Sequence, residues 1–319
     1  MIKKVLRLAL VISIFFSFFL FLKATDIGES IRLVKQFGFH AVYLFFCTFF
    51  AYISGTLGWR FCIDSAIKPS FVRLFMYRHT GNIITLFNPA GAITGEMFNA
   101  GMLIRDGVEE QSAYKSVLLA RIIMILSQLT ILTVVLLWFL LFLSNKLPET
   151  LQSILFACFG LLITVIATVL FLILKNGETT LHSPENRWSK FVYRIKAMRN
   201  SLSAYVQQKP DMVVFAFIAF TVHWVLASLE LYFILNFLGY DVKIRDGLFM
   251  DTMIIVLKSA FWFIPGQLGI EELINKFTLL LIGISSLNLW LSVSIVRRVR
   301  LLFWSAVAGI FYWGLRRKF

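Results

Sequence analysis

The sequence FWFIPGQLGIEELINKFTLLLIG, residues 261–283, belongs to an apolar region over residues 247–283 and is interrupted at Pro265, Gly266 and Gly269. Proline removes a backbone hydrogen-bond donor and breaks a helix, so each half is too short to cross the ~30 Å of hydrocarbon in a bilayer. Irregular backbone at membrane depth is tolerated only inside protein or beside a water-filled cavity. The stretch therefore predicts a re-entrant helical hairpin, with a kinked full helix as the alternative.

A second stretch of the same kind lies in the first half of the chain. Residues 80–103 are apolar and are interrupted at Asn88, Pro89, Gly91 and Gly95. The same reasoning predicts a second re-entrant hairpin here, with the same alternative.

The composition of the whole chain agrees with a membrane location. Of 319 residues, 59% are hydrophobic and only 15% are charged, whereas soluble domains carry about 25% charged residues. The apolar residues occur in blocks, several of them about 20 residues or longer, which is the length that spans a bilayer. This excludes a soluble enzyme, a coiled coil and a disordered chain.

Six apolar blocks are expected to cross the membrane completely. The first follows Lys3, Lys4 and Arg7 and has no small-residue cleavage site after it, so it predicts an uncleaved span rather than a signal peptide. The six blocks are residues 8–22, 39–59, 116–143, 151–174, 212–238 and 287–313. The fold class predicted is an all-α polytopic membrane protein, a single integral membrane domain over residues 1–319 with six spans and two re-entrant hairpins.

The loop charges support this topology. With the N-terminus inside, nineteen Lys and Arg residues fall on the inner side and six on the outer side, as the positive-inside rule requires. This balance holds only if both hairpins return to the side from which they enter. The net charge of +14 is therefore assigned to topology, with both termini in the cytoplasm of an inner membrane, and no nucleic-acid partner is expected.

The longest polar segment, residues 175–210, alternates basic residues with apolar ones at helical spacing. This pattern suits an amphipathic helix on an anionic membrane surface. A solvated connecting helix fits equally well, and both interpretations stay open.

The two broken segments are related by an internal repeat of the two halves, around 70–145 and 246–319. When the second half is aligned on the first, rare residues pair at one constant offset: Pro89 with Pro265, Glu96 with Glu272, and Arg121 with Arg297. Three full spans separate the hairpins, and an odd number inverts the second copy. Inverted repeats with broken helices near mid-membrane are typical of transporters.

Ionisable residues within the apolar segments indicate a site. A charged side chain at the centre of a bilayer costs roughly 2.5–3.5 kcal/mol on insertion scales, so these groups must pair or line a polar cavity. Arginine grips phosphate bidentately, and a carboxylate suits an amine, a hydroxyl or a proton. Structural Glu–Arg pairs are the alternative. The candidate headgroup-cavity residues are Glu96, Arg121, Glu271, Glu272, Arg297 and Arg300.

Sequence motifs for enzymatic chemistry are not found. The chain has no phosphate-binding GxxxxGK[ST] loop, no HExxH and no GxSxG, and its three cysteines form no CxxC pair. We therefore expect no cofactor, no metal site and no catalytic residues.

The motifs quoted above resemble those of the membrane domain of lysylphosphatidylglycerol synthases, over nearly the whole chain. The resemblance rests on Pro89, Gly95-Glu96, Ser116-Val117, Arg121, the segment 264–272 and Arg297. The same domain also occurs alone in many bacterial and archaeal flippase-like proteins. The sequence departs from the family pattern at Asn99, where the family often has Arg, and at Ala120, where it often has Glu.

The resemblance implies translocation of a lipid between leaflets. The family's aminoacyl transfer belongs to a separate soluble domain and is not implied here. We therefore expect a transporter of a phospholipid or related lipid with an anionic or zwitterionic headgroup. An intramembrane lipid-modifying enzyme and an accessory subunit of lipid or glycan synthesis are the alternatives, and the oligomeric state is left open.

Overall fold

The computed structural model describes residues 38–87, 92–143, 149–174, 187–259, 270–285 and 289–317, with the isolated residues 32 and 35. Throughout these residues the regular secondary structure is helical. After a short 3₁₀ turn at Gly38–His40 the α-helices are, in chain order, α1 Ala41–Phe61, α2 Phe71–Phe87, α3 Ala92–Arg105, α4 Glu110–Leu143, α5 Glu149–Leu174, α6 Arg187–Gln208, α7 Pro210–Phe237, α8 Ile244–Ser259, α9 Ile270–Leu281 and α10 Leu289–Arg317.

The prediction of an all-α membrane protein is confirmed. Five of the six predicted spans coincide with α1, α4, α5, α7 and α10, and the first, residues 8–22, lies outside the described residues. Four helices of the described part are long and apolar enough to cross a membrane, namely α1 with the turn before it, α4, α5 and α7. The number of crossings and their orientation stay predictions.

Helix ends follow from local sequence. Ser70 precedes α2, and its hydroxyl accepts a hydrogen bond of 3.4 Å from the backbone N–H of Arg73, which is N-cap geometry. Gly107 and Gly283 follow α3 and α9 with φ of +93° and +86°. This left-handed conformation is favourable only for glycine. The two glycines are counterparts in the predicted repeat, so the second helix of each hairpin is followed by a glycine with positive φ.

Contacts divide the chain into two compact units. The first comprises residues 1–56, 69–106 and 222–319, and the second comprises residues 57–68 and 107–221. The first unit contains both predicted hairpins and the last long helix. The second unit contains α4, α5 and α6.

In the first unit, α2 and α3 pack antiparallel. Arg73 and Tyr77, near the start of α2, both contact Asp106 just after α3, at 3.0 and 2.8 Å. Farther along, Gly81 lies against Asn99. The two helices have 17 and 14 residues, or roughly 26 and 21 Å at 1.5 Å per residue. Both are therefore shorter than the hydrocarbon core, as a hairpin requires.

The prediction that Gly95 interrupts the first hairpin is wrong. Gly95 lies inside α3, where a Cβ atom would overlap the Thr85 hydroxyl and the carbonyl oxygen of Gly81. Glycine is needed there for close helix–helix approach, as at small-residue interfaces of membrane helices. The other predicted breaks, Asn88, Pro89, Gly91, Pro265, Gly266 and Gly269, lie outside the described residues.

The second hairpin consists of α8 and α9, of 16 and 12 residues, and it packs on an apolar core. Met250 and Ile254 of α8 are buried together with Ile274 of α9 and Val293 of α10. The α10 helix contacts both α9 and α2. One long helix thus supports a helix of each hairpin.

Arg78 is one of the nineteen Lys and Arg residues that the sequence analysis counts in inner loops, but it is buried in α2. Its Nη1 atom donates a hydrogen bond of 2.6 Å to the carbonyl oxygen of Gly55 in α1. This guanidinium thus has a partner inside the protein, so its charge does not have to lie in a loop at the membrane surface.

In the second unit, α6 packs against α4 and α5. Leu202, Ser203 and Tyr205 of α6 are buried. Asp64, in the loop between α1 and α2, pairs with Lys115 of α4 at 2.7 Å and with Lys209 at 2.8 Å. One carboxylate therefore joins three segments of this unit.

Replacing Gly95 with alanine should destabilise the protein by about 1–3 kcal/mol or more, because the new methyl group meets backbone that cannot move aside. Gly101, on the same helix, is the matched control, since a Cβ there meets nothing within 4 Å. Gly101→Ala should be neutral or stabilising, because alanine is the better helix former. Unfolding midpoints in detergent measure both, and equal effects would contradict the close-packing assignment.

Asp64 generates a pH-dependent prediction. Hydrogen bonds from Lys115 and then Lys209 hold the pKa of the Asp64 carboxyl below its ordinary value of 3.8. A lowered folded-state pKa means that the stabilisation is present above the ordinary pKa and is lost as pH falls through the lower value. Wild type should therefore exceed Asp64→Asn in unfolding midpoint at pH 7, and this difference should shrink as the pH falls below 3.8. Asp241→Asn, at an exposed residue, is the control, and a constant difference at all pH values would refute the assignment.

Candidate functional site

Six ionisable side chains of the first unit meet in one group, which we call the ion cluster. Four helices contribute to it, and it contains three acids and three bases. Its members are Glu230 of α7, Asp251 and Lys258 of α8, Glu271 of α9, and Arg297 and Arg300 of α10.

Arg297 is the centre of the ion cluster. Its Nη2 atom donates a hydrogen bond of 2.9 Å to Asp251 Oδ1. Its Nε atom lies 3.6 Å from Glu271 Oε1 and 3.8 Å from Glu230 Oε2. The side chain is only 9% exposed. A planar guanidinium with five donors can face several carboxylates at once, which an ammonium group cannot do with the same geometry.

Two further ion pairs complete the cluster. Arg300 Nη1 lies 2.9 Å from Glu230 Oε2, and Lys258 Nζ lies 2.7 Å from Glu271 Oε2. The hydroxyl of Ser228 donates a hydrogen bond of 3.2 Å to Asp251 Oδ2. Every acid of the cluster therefore has at least one cation, and the formal charges sum to zero.

The local sequence explains why these groups meet. Arg297 and Arg300 are three residues apart and share one face of α10. The α9 helix begins at Ile270, where the sequence predicts a helix to restart, so Glu271 lies in its first turn. A carboxylate there is stabilised by the positive end of the helix dipole.

Several polar atoms of the ion cluster make no hydrogen bond to another described residue. They are both carboxylate oxygens of Glu230, Nε and Nη1 of Arg297 and Nε of Arg300. Buried polar atoms are nearly always hydrogen-bonded in proteins, to protein, water or ligand. The cluster thus has neutral charge but unused hydrogen-bonding capacity, which a water molecule or a polar ligand can satisfy.

The predicted site residues fall into three groups. Glu271, Arg297 and Arg300 are brought together in the ion cluster. The backbone of Glu272 belongs to α9, but its side chain lies outside the description. Glu96 is half-buried in the first unit and Arg121 is half-buried in the second, and their role in a headgroup cavity stays a prediction.

Sequence reasoning missed Glu230 and Asp251, which are 1% and 2% exposed. Both lie within predicted membrane segments, Glu230 inside the fifth span and Asp251 inside the second broken region. The criterion that selected Glu96, an acid surrounded by apolar residues, applies to them equally. Applied to the whole sequence, this criterion identifies Glu230 and Asp251 as candidate site residues.

The departures from the family pattern are both buried. Ala120 packs inside the second unit. Asn99 lies against Gly81, and its counterpart in the repeat, Asn275, is fully buried and donates a hydrogen bond of 2.8 Å to Ser294. Asparagine therefore occupies the corresponding position of both halves, which agrees with the predicted repeat. The departure from the family pattern at Asn99 has the same residue as its counterpart in the second half.

The central role of Arg297 predicts a large loss on its removal. Arg297→Met should destabilise the protein by about 3–5 kcal/mol, because three carboxylates would share two cations in a buried site. Adding Asp251→Asn should recover part of this loss, since the charges again sum to zero. Arg245→Met, at a residue whose side chain is 44% exposed, is the control and should change stability by less than about 0.5 kcal/mol. The measurement is unfolding in a denaturing-detergent titration, and a double variant no more stable than Arg297→Met would contradict charge balance.

Comparison with known proteins identifies the family. A family model described as the lysylphosphatidylglycerol synthase TM region matches residues 5–309. No curated protein and no solved structure matches the chain. The resemblance that the motifs suggest is thus confirmed over almost the entire sequence. The chain belongs to the lysylphosphatidylglycerol synthase TM-region family and is a multi-pass membrane protein of lipid metabolism or translocation.

Proposed function

We propose that this protein moves a phospholipid, or a related lipid with an anionic or zwitterionic headgroup, between the leaflets of the inner membrane and leaves it chemically unchanged. The observation that carries the proposal is the ion cluster, a neutral set of three acids and three bases buried among membrane helices. Such groups are costly in a membrane protein and are typical of substrate pathways.

The ion cluster has an inner part and an outer edge. The side chains of Glu230, Asp251 and Arg297 are 1%, 2% and 9% exposed. Those of Glu271, Arg300 and Lys258 are 17%, 18% and 20% exposed. A ligand that approaches the cluster therefore meets the edge first, and the inner residues keep the edge in place.

The edge has the chemistry to exchange partners with a headgroup. A lipid phosphate can replace a carboxylate on Arg300 or Lys258, because guanidinium and ammonium groups bind either anion. An amine or hydroxyl of the headgroup can take the place of Lys258 beside Glu271. A zwitterionic headgroup thus replaces one ion pair by another, and the site stays neutral throughout. An anionic headgroup requires a proton or a cation to enter with it.

The hairpins supply the route. Helices of 12 to 17 residues end inside the hydrocarbon region when they enter from one side. The sequence analysis predicts that the segments connecting these helices lie in protein or beside water. A headgroup passes along that polar interior while its acyl chains stay in the surrounding lipid.

The test is leaflet exchange in liposomes that contain the purified full chain and headgroup-labelled phosphatidylethanolamine, phosphatidylglycerol or phosphatidylcholine. We expect exchange of at least one lipid to exceed that of protein-free liposomes. Glu271→Gln and Arg300→Gln should each reduce the rate roughly tenfold or more, since a charge-assisted contact contributes about 1.5–3 kcal/mol. Arg245→Gln is the matched control, because it also removes one positive charge of the first unit, and it should exchange lipid at the wild-type rate.

Two outcomes contradict the proposal. Edge variants that keep the wild-type unfolding midpoint and the wild-type exchange rate exclude the ion cluster from transport. Mass spectrometry of the recovered lipid that shows a changed headgroup or chain supports the lipid-modifying enzyme instead.

A further inference from the structure

A separate cavity of about 460 Å³ lies in the first unit, among α2, α3 and α10. Its lining combines two guanidinium groups, those of Arg105 and Arg316, with the apolar or aromatic side chains of Phe98, Met102, Tyr312 and Leu315. None of these residues belongs to the ion cluster. The cavity is therefore separate from the ion cluster, and its lining has a different chemistry.

The two arginines are close to helix ends. Arg105 is the last residue of α3, and Arg316 lies one residue before the end of α10. Both ends are on the side that the positive-inside rule predicts to be cytoplasmic. In the predicted topology, the cationic part of the cavity lies at the depth of the inner-leaflet phosphates.

The rest of the lining suits the upper part of a lipid. The rings of Phe98 and Tyr312 lie 6.4 Å apart, and Tyr312 is largely exposed. Tyrosine prefers the membrane interface, where its ring is apolar and its hydroxyl is wet. Arg105 Nη1 lies only 3.9 Å from the sulfur of Met102, so guanidinium and apolar surface are adjacent. A free phosphate ion would use the arginines but not the apolar surface.

The floor of the cavity is the backbone of α3 at Gly101. A Cβ atom built on Gly101 meets nothing within 4 Å, so the cavity extends down to the helix itself. A large side chain placed there would fill the cavity without displacing its walls.

We propose that this cavity binds the headgroup of one anionic phospholipid of the inner leaflet. The phosphate lies between Arg105 and Arg316, and the glycerol and first acyl carbons lie over Phe98, Met102 and Tyr312. Charge complementarity selects an anionic lipid, since the described residues that line the cavity include two cations and no acid. The assignment concerns equilibrium binding and does not depend on the transport proposed above.

The experiment is native mass spectrometry of the full chain in detergent, titrated with dioleoylphosphatidylglycerol or dioleoylphosphatidylcholine. We expect wild type to bind phosphatidylglycerol roughly tenfold or more tightly than phosphatidylcholine. The double variant Arg105→Gln/Arg316→Gln should lose this preference, and Gly101→Phe should lose binding while the two arginines remain.

Matched controls separate the site from general effects of charge and bulk. Arg60→Gln removes another arginine from the side that is predicted to be cytoplasmic, outside the cavity. Gly160→Phe adds the same ring to α5, where a Cβ also meets open space. Both should keep the wild-type preference for phosphatidylglycerol.

The proposal is overturned if the double variant and Gly101→Phe bind phosphatidylglycerol as wild type does. It is also overturned if inorganic phosphate at millimolar concentration displaces the lipid from wild type, because the site would then be one for a soluble anion. Neither result changes the rate expected for lipid exchange between leaflets. A failure of the binding proposal is therefore distinguishable from a failure of the transport proposal.

Discussion

The neutrality of the ion cluster is the constraint on which the first unit depends. Four helices meet around Arg297, and each of its three acidic neighbours comes from a different helix. An uncompensated charge in a site of low dielectric costs several kcal/mol, whereas a balanced set with good geometry approximately breaks even. The cluster therefore adds little net stability when complete, but any arrangement of α7, α8, α9 and α10 that separates its members is strongly unfavourable. Buried ions in this unit specify position more than they supply stability.

The two hairpins reach a similar helical layout with different chemistry. In the alignment of the two halves, Gly95 corresponds to Glu271 and Asn82 corresponds to Lys258. In the first hairpin a glycine lets two backbones touch. In the second, an ion pair of 2.7 Å joins the helices at the corresponding position. Of the six members of the ion cluster, only Arg297 has a charged counterpart of the same sign, Arg121. In the predicted repeat, the closing glycines and the buried asparagines therefore recur in both halves, whereas most members of the ion cluster have no charged counterpart.

Sequence alone predicts the long helices well, because a continuous apolar segment of about 20 residues is nearly sufficient to identify a membrane helix. Each of α1, α4, α5 and α7 contains such a segment. It also predicts that Glu271, Arg297 and Arg300 need partners, since charge among apolar residues demands compensation. It does not predict which partner each receives. Glu230 is distant from Arg297 along the chain, and only tertiary packing brings them together. The prediction for Gly95 is wrong for a related reason. The sequence does not distinguish a glycine that ends a helix from one that lets two helices pack closely, because the difference depends on the neighbouring helix.

A purely structural ion cluster and one that receives a headgroup differ in how completely their hydrogen bonds are satisfied. A network that serves only to position helices is most favourable when every donor and acceptor has a partner, because a partly satisfied buried network is worse than an apolar core. Among the described residues, Nε of both Arg297 and Arg300 and the two carboxylate oxygens of Glu230 make no hydrogen bond of good geometry, although Glu230 Oε2 lies 2.9 Å from Arg300 Nη1 as an ion pair. Their charges are balanced while their hydrogen bonds are not. The proposed entry of a lipid headgroup uses this property, because the phosphate or amine that replaces a partner at the edge of the cluster also finds polar atoms there that are open to further hydrogen bonds.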